Sequence, residues 1–217
     1  PQLGIESVGR RERKMCICDI PHSIDLAWAT LMDPTFTELR RCIYGDEAEM
    51  KRFRQLLVNS VMATDILDED LGMTRKKRWN EAFQEASEEG SQMVDINRKA
   101  TIVIEHLIQA SDVSHTMQHW HVYKKWNLRL FEEMYTAYRL GRTDIDPSEE
   151  WYRREIDFFD NYIIPLTQKL KECGVFGVSS DEYLNYATVN CREWEAKGVD
   201  IINTLVEKMG IPASRVG

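Results

Sequence analysis

The stretch QASDVSHTMQHWHVYKKWN, residues 109–127, holds one aspartate, three histidines and two tryptophans. On one continuous helix, Asp112, His115 and His119 would share a face at i, i+3 and i+7, a donor set suited to a divalent metal. The other reading is a helix that ends near Asp112 and gives way to a loop, with the histidines as surface or hydrogen-bonded core groups. Spacing alone favours the second reading. Tyr123, Trp126, Leu130, Phe131 and Met134 recur every three or four residues, the pattern of a core stripe. Neither HExxH, a phosphate-binding glycine loop nor a nucleophile elbow occurs in the chain.

The elements that must position these residues read as helices, because apolar three-and-four spacing recurs from Ile24 onward and strand-like alternation is nearly absent. A short helix through Ile24, Trp28 and Met32 stops at Asp33-Pro34, where proline disfavours a helical predecessor. A second is expected over Pro34 to Tyr44. Asp46 precedes an apolar stripe, Met50, Phe53, Leu56, Leu57, Val61 and Met62, that predicts a helix to about Asp65. Further helices are expected from about Thr74 to Glu89 and from about Asp95 to Ser111, the latter apolar enough for a central place. Trp120 to Leu140, closed by Gly141, is another. The next is capped by Asp146-Pro147 or Ser148 and runs to Lys171, and the last spans Ser179 or Ser180 to Met209. The fold class is all-α, with residues 1–21 unassigned and 22–217 as one unit.

A formal net charge of −8 argues against a general nucleic-acid coat or an anionic membrane surface as the main partner, because both would be repelled at long range. The basic runs Arg10, Arg11, Arg13, Lys14 and Arg75, Lys76, Lys77, Arg78 have close acidic neighbours and read as solvated faces. Five scattered cysteines point to reduced thiols in an intracellular compartment, and Cys16/Cys18 lacks a partner pair at zinc-finger spacing. No apolar run approaches the roughly 18 residues a membrane span needs.

ASDVSH followed by WHVYKKWNLRLFEEMY resembles the segment of class I 3',5'-cyclic nucleotide phosphodiesterases in which a helix ends in Asp-x-Ser-Asn and a LxxxWxxRxxEEFF helix follows. LLVNSVMATDIL is similar to the family's LVLATDM helix and EIDFFDNYIIPL to its QVGFIDFIVHPL helix. More loosely, HSIDLAWATLM resembles the helix after its Glu-Asn-His-His run. The resemblance runs from about His22 to Gly177. It implies a multi-helix, HD-domain-like catalytic fold that hydrolyses cyclic AMP or cyclic GMP in cytoplasmic signalling, or at the cytosolic face of a membrane if upstream segments anchor it. Two divalent ions, zinc with magnesium or manganese, are implied as cofactors, the cyclic nucleotide as partner, and a homodimer as a candidate assembly. Asp112 resembles the aspartate that ligates the metal pair and Asp65 a residue supporting it. Glu155, Phe158, His115, Tyr123, Leu130, Phe131 and Met134 fall where residues that hold the nucleotide lie.

The chain departs from the family pattern. The family's HNxxH and HD motifs, which supply the other ligands and the catalytic histidine, do not occur in it, so no catalytic acid is assigned. This implies the C-terminal portion of a catalytic domain, inactive alone; the alternative is a degenerate, non-catalytic module that binds a nucleotide or a partner. Glu155 stands where the family has a purine-selecting glutamine. An ionised glutamate only accepts hydrogen bonds, so it could take the adenine amino group or the guanine N1–H but would face a lone pair at adenine N1 or guanine O6, and the base is left open. His115 replaces an asparagine that contacts the base.

Overall fold

A computed structural model describes residues 22–66, 68–83 and 92–210. Residues 1–21, with the Arg10 to Lys14 run and the Cys16/Cys18 pair, lie outside the described residues, as do residues 84–89 of the helix expected to reach Glu89. Every regular element among the described residues is helical: α1 (22–32), α2 (Thr37–Ile43), α3 (Glu47–Ala63), α4 (Glu69–Phe83), α5 (Gln92–Asp112), α6 (Trp120–Arg139), α7 (Trp151–Phe158), α8 (Ile164–Glu172) and α9 (Ser180–Lys208). The all-α expectation holds. The chain divides into two compact units between Gln109 and Ala110, where the sequence suggested one.

In the first unit the breaks follow local chemistry. Asp33 Oδ1 accepts from the Thr35 amide at 2.8 Å, and Pro34 sits in the first turn of a 3-10 segment, Pro34–Phe36, where its missing N–H costs nothing. Asp46 caps α3 by accepting from Glu49 N at 2.8 Å, while Glu49 Oε2 reaches back past the cap to accept from Gly45 N at 2.7 Å, so both sides of the helix start are tied. The core between α4 and α5 is more polar than the apolar run Ile102 to Ile108 suggests. Ile102, Glu105, His106 and Gln109 are buried, and Trp79 stacks on Phe83 and tilts against His106 at 4.7 Å. His106 Nδ1 lies 2.7 Å from the Ile102 carbonyl, which makes it the protonated nitrogen. Arg78, read from sequence as part of a solvated basic face, instead donates from Nη1 to both oxygens of Glu105 at 2.9 and 3.0 Å. Its neighbours Lys76 and Lys77 are exposed, as expected.

In the second unit α9 packs against α6, α7 and α8 and carries the buried stripe Ala187, Cys191, Trp194, Ile202, Leu205 and Val206. Gly198 permits the close approach of α7: a Cβ there would stand 2.9 Å from both the Trp194 and Tyr152 rings. Burial, reinforced by the carboxylates of Asp160 and Glu195, pushes the Cys191 thiol up to about 11, so it packs as an apolar group.

The helix expected from Asp146-Pro147 starts later. Asp146 Oδ1 accepts from the Ser148 amide at 2.9 Å and its hydroxyl at 2.6 Å, which spends the cap on a turn, and α7 begins at Trp151. From α7 to α8 the chain stays helical but widens into a π turn over Phe159–Ile163. Pro165 lacks the N–H that would bond to Asn161 and its ring crowds that carbonyl, so the ladder shifts to i→i+5, with Ile164 N–H reaching Phe159 O.

Candidate functional site

The opening stretch is broken. α5 ends at Asp112, a 3-10 turn covers Ser114–Met117, and α6 starts at Trp120, so Asp112, His115 and His119 share no helical face. The turn is pinned from α9: the buried Asn190 donates from Nδ2 to the Thr116 carbonyl at 2.9 Å and to the Gln118 carbonyl at 2.7 Å. Thr116 Oγ1 closes the same turn onto the Val113 carbonyl at 2.7 Å. His119 turns away, with Nε2 3.2 Å from the Tyr186 hydroxyl and its ring stacked on His121. Because Asn190 alone bridges α9 to two carbonyls of the turn, Asn190→Ala is expected to destabilise the protein by about 2 kcal/mol, read as a lowered midpoint in urea with an unchanged slope.

A cleft of about 540 Å³ opens over the turn, lined by Asp112, Ser114, His115, Gln118, Trp126, Arg129, Leu130 and Glu133. It gathers three of the expected residues, Asp112, His115 and Leu130. The Arg129 guanidinium lies 5.2 Å from the Trp126 ring centre, so a cation and an aromatic face stand on the α6 side of the cleft. Burial pushes the His115 imidazole below its ordinary value, which leaves the neutral ring with one donor and one acceptor.

The α6 stripe divides in two. Trp126, Leu130 and Met134, read as core, are exposed, whereas the buried face is Tyr123, Asn127, Phe131 and Tyr135. Tyr123 and Phe131, expected as pocket walls, have no exposed surface and do not line the cleft; nor does Met134. Phe131 meets Trp151 edge-on at 5.3 Å, and Tyr123 meets Phe159 edge-on at 5.2 Å. The reason is periodicity: Tyr123 and Phe131 lie on the side of α6 turned towards α7, and Trp126 and Leu130 on the side turned towards the cleft.

Glu155 belongs to the buried network. Tyr123 OH donates to Glu155 Oε2 at 2.8 Å, Asn127 Nδ2 donates to the Tyr123 oxygen at 3.4 Å, and Trp151 Nε1 donates to Asn127 Oδ1 at 3.2 Å. Burial raises the Glu155 carboxyl above its ordinary value, opposed by the donors of Tyr123 and Asn127. Burial and the adjacent carboxylate push the Tyr123 hydroxyl far up, so it keeps its proton. Phe158, one turn on, is half-buried and stacked on Tyr162 at 5.4 Å. Asp65 lies in the first unit, just past α3, where Arg75 donates to its carbonyl at 3.0 Å.

A family model for 3'5'-cyclic nucleotide phosphodiesterase matches residues 22–175. The chain belongs to this phosphodiesterase family. It is 25% identical over 163 residues to "Probable 3',5'-cyclic phosphodiesterase pde-3" of Caenorhabditis elegans, a match covering 69% of this chain and 23% of that protein. Two crystal structures of the phosphodiesterase domain of a rhodopsin phosphodiesterase from the choanoflagellate Salpingoeca rosetta share the fold at 20% identity. Their TM-scores are 0.63 and 0.62, with 87% and 88% of this chain matched to 57% of each. The chain thus spans under a quarter of the curated relative and somewhat over half of the solved domains.

Asp112 is a hard oxygen donor of the kind a divalent ion takes. No group of three His, Cys, Asp or Glu side chains that could hold a metal occurs among the described residues. A metal pair therefore does not fit the described residues alone. Asn127 and Trp151, which fix Glu155, escaped the sequence reading; the signal was a polar residue one turn after Tyr123, on the face that proved buried.

Proposed function

We propose that the chain contributes the nucleotide-binding face and one metal-ligating carboxylate to a 3',5'-cyclic nucleotide phosphodiesterase acting on cyclic AMP or cyclic GMP in the cytoplasm. The observation that carries this is the shared cleft of Asp112 and His115 in a chain matched by the phosphodiesterase family over residues 22–175. When bound, divalent ions of the zinc, magnesium or manganese kind supply water activation and charge neutralisation at the cyclic phosphate.

The chain's own residues bind and orient. Asp112 offers one carboxylate at the rim of the cleft. Neutral His115 gives the ligand a donor and an acceptor on one ring. Glu155 reads the base edge, and Phe158, its ring backed by Tyr162, supplies a stacking face worth roughly 1–3 kcal/mol. Leu130 contributes apolar wall. Tyr123 and Phe131 act from behind, Tyr123 by holding Glu155 and Phe131 by packing Trp151. Met134 extends the exposed face of α6.

The absence of a three-ligand cluster among the described residues favours a second reading, a non-catalytic member that binds nucleotide only. The full-length gene product is expected to hydrolyse cyclic AMP or cyclic GMP to the 5'-monophosphate and to lose activity with a chelator. Binding without turnover would select the second reading, and neither binding nor turnover would end both.

A further inference from the structure

Among the described residues that line the cleft over the Ser114–Met117 turn, Arg129 is the single fixed positive charge, beside the carboxylates of Asp112 and Glu133. Among the described residues Arg129 makes no hydrogen bond or ion pair, and its guanidinium rests 5.2 Å from the centre of the Trp126 ring. A cation over an aromatic face is attracted by the ring's quadrupole, which uses none of the guanidinium N–H donors. The planar fork is thereby held at the cleft with its donors unspent, ready to meet two oxygens of one phosphorus side by side. The net charge of −8 and the two carboxylates oppose an anionic ligand. An anion that settles in this cleft therefore needs Arg129, or a metal ion at Asp112, to hold it.

We infer that Arg129, with Trp126 as its positioning residue, is a clamp for a phosphate monoester: it holds the 5'-monophosphate that hydrolysis leaves, and the product thereby restrains further turnover. The inference rests on the proposed function, which brings a cyclic nucleotide to this cleft. In the hydrolysis the oxygen of water bonds to phosphorus, the bond from phosphorus to the 3' oxygen breaks, and that oxygen leaves with a proton. The cyclic diester carries two free oxygens that share one negative charge, and both are committed to the metal side at Asp112 under that reading. The monoester carries a third free oxygen and a charge of about −1.5 to −2 at neutral pH. That added oxygen and charge are what an unspent guanidinium fork in the same cleft answers, so the clamp acts on the product more than on the substrate.

The test is equilibrium binding of 5'-AMP, 5'-GMP and the nucleosides adenosine and guanosine to the full-length gene product, with magnesium present, for the parent, Arg129→Gln, Trp126→Ala and Trp126→Phe. Both side chains are exposed, so these changes leave the core intact. The parent is expected to bind each monophosphate at least about tenfold more tightly than its nucleoside. Arg129→Gln should cut that ratio about tenfold while nucleoside affinity stays within about twofold. Trp126→Ala should cut it about threefold, and Trp126→Phe, which keeps an aromatic face, should restore most of it. The ratio is read because a general change in the cleft would weaken nucleoside and nucleotide together. In the hydrolysis assay, about tenfold more 5'-monophosphate should be needed to halve the rate of Arg129→Gln than that of the parent. A parent ratio near one, a ratio that Arg129→Gln leaves unchanged, or equal inhibition of the two proteins overturns the inference while the proposed function stands. If the parent binds neither the monophosphates, the nucleosides nor a cyclic nucleotide, the proposed function falls and this inference with it.

Discussion

Asp112→Asn in the full-length gene product is expected to lower kcat/KM for cyclic nucleotide hydrolysis by about 100-fold or more, with bound divalent metal falling in parallel. The fold should not suffer. Asp112 is exposed at the last residue of α5, where a negative charge opposes the helix dipole by roughly 0.3–1 kcal/mol. Removing that charge is expected to leave the thermal midpoint unchanged or slightly raised. Under the proposed function, that unfavourable placement is offset by the cation that Asp112 would ligate. An activity loss below threefold, with metal content intact, would remove Asp112 from the site.

Arg78→Met carries the second large effect, on stability. Glu105 is buried at 2% exposure, and its carboxyl is raised by burial against the opposing pull of Arg78, with smaller help from Arg75 and Asn59. Deleting the guanidinium, whose Nη1 meets both carboxylate oxygens, leaves a buried carboxylate short of its main counter-charge, a loss of about 3 kcal/mol at neutral pH. The sign of the pH dependence follows from linkage. Without Arg78 the folded-state value of Glu105 rises further above its unfolded value, so the folded state binds the proton more readily. The variant's deficit is therefore full above the raised value and shrinks as pH falls through it towards the ordinary carboxylate range. Urea unfolding of parent and variant across that range checks this; a deficit independent of pH would mean the loss comes from packing rather than charge.

How much of the fold is legible in the sequence depends on the kind of force involved. Helix existence and most boundaries are legible, because they rest on residues within a turn of one another: the Asp46 cap with Glu49, the Asp33-Pro34 stop, and Gly141 with its positive φ of 67° closing α6. Where expectation and fold part, a local competitor won. Asp146 capped a turn through Ser148 instead of a helix, and Pro165 opened a π turn inside what the pattern gave as a plain helix. In the candidate site Asp112, His115 and Leu130 do share a cleft, while Tyr123 and Phe131 passed into the core.

Sequence alone determined the all-helical class, the family, and the residue types available for chemistry: one carboxylate at a helix end, a histidine in place of an asparagine, a glutamate in place of a glutamine. The class follows from periodicity and the family from the quoted motifs, while the two replacements are what the resemblance implies; none of these needs a partner from a distant part of the chain. Only the tertiary structure decided which face of α6 is core. It also decided that Asn190, 74 residues on from Thr116, clasps the turn beneath His115, and that Tyr123, Asn127 and Trp151 form a buried hydrogen-bond network behind Glu155. The reason is that a helix offers several plausible faces, and only the packing of α7 and α9 against α6 selects which hydrogen-bond donors are buried and which way they must point.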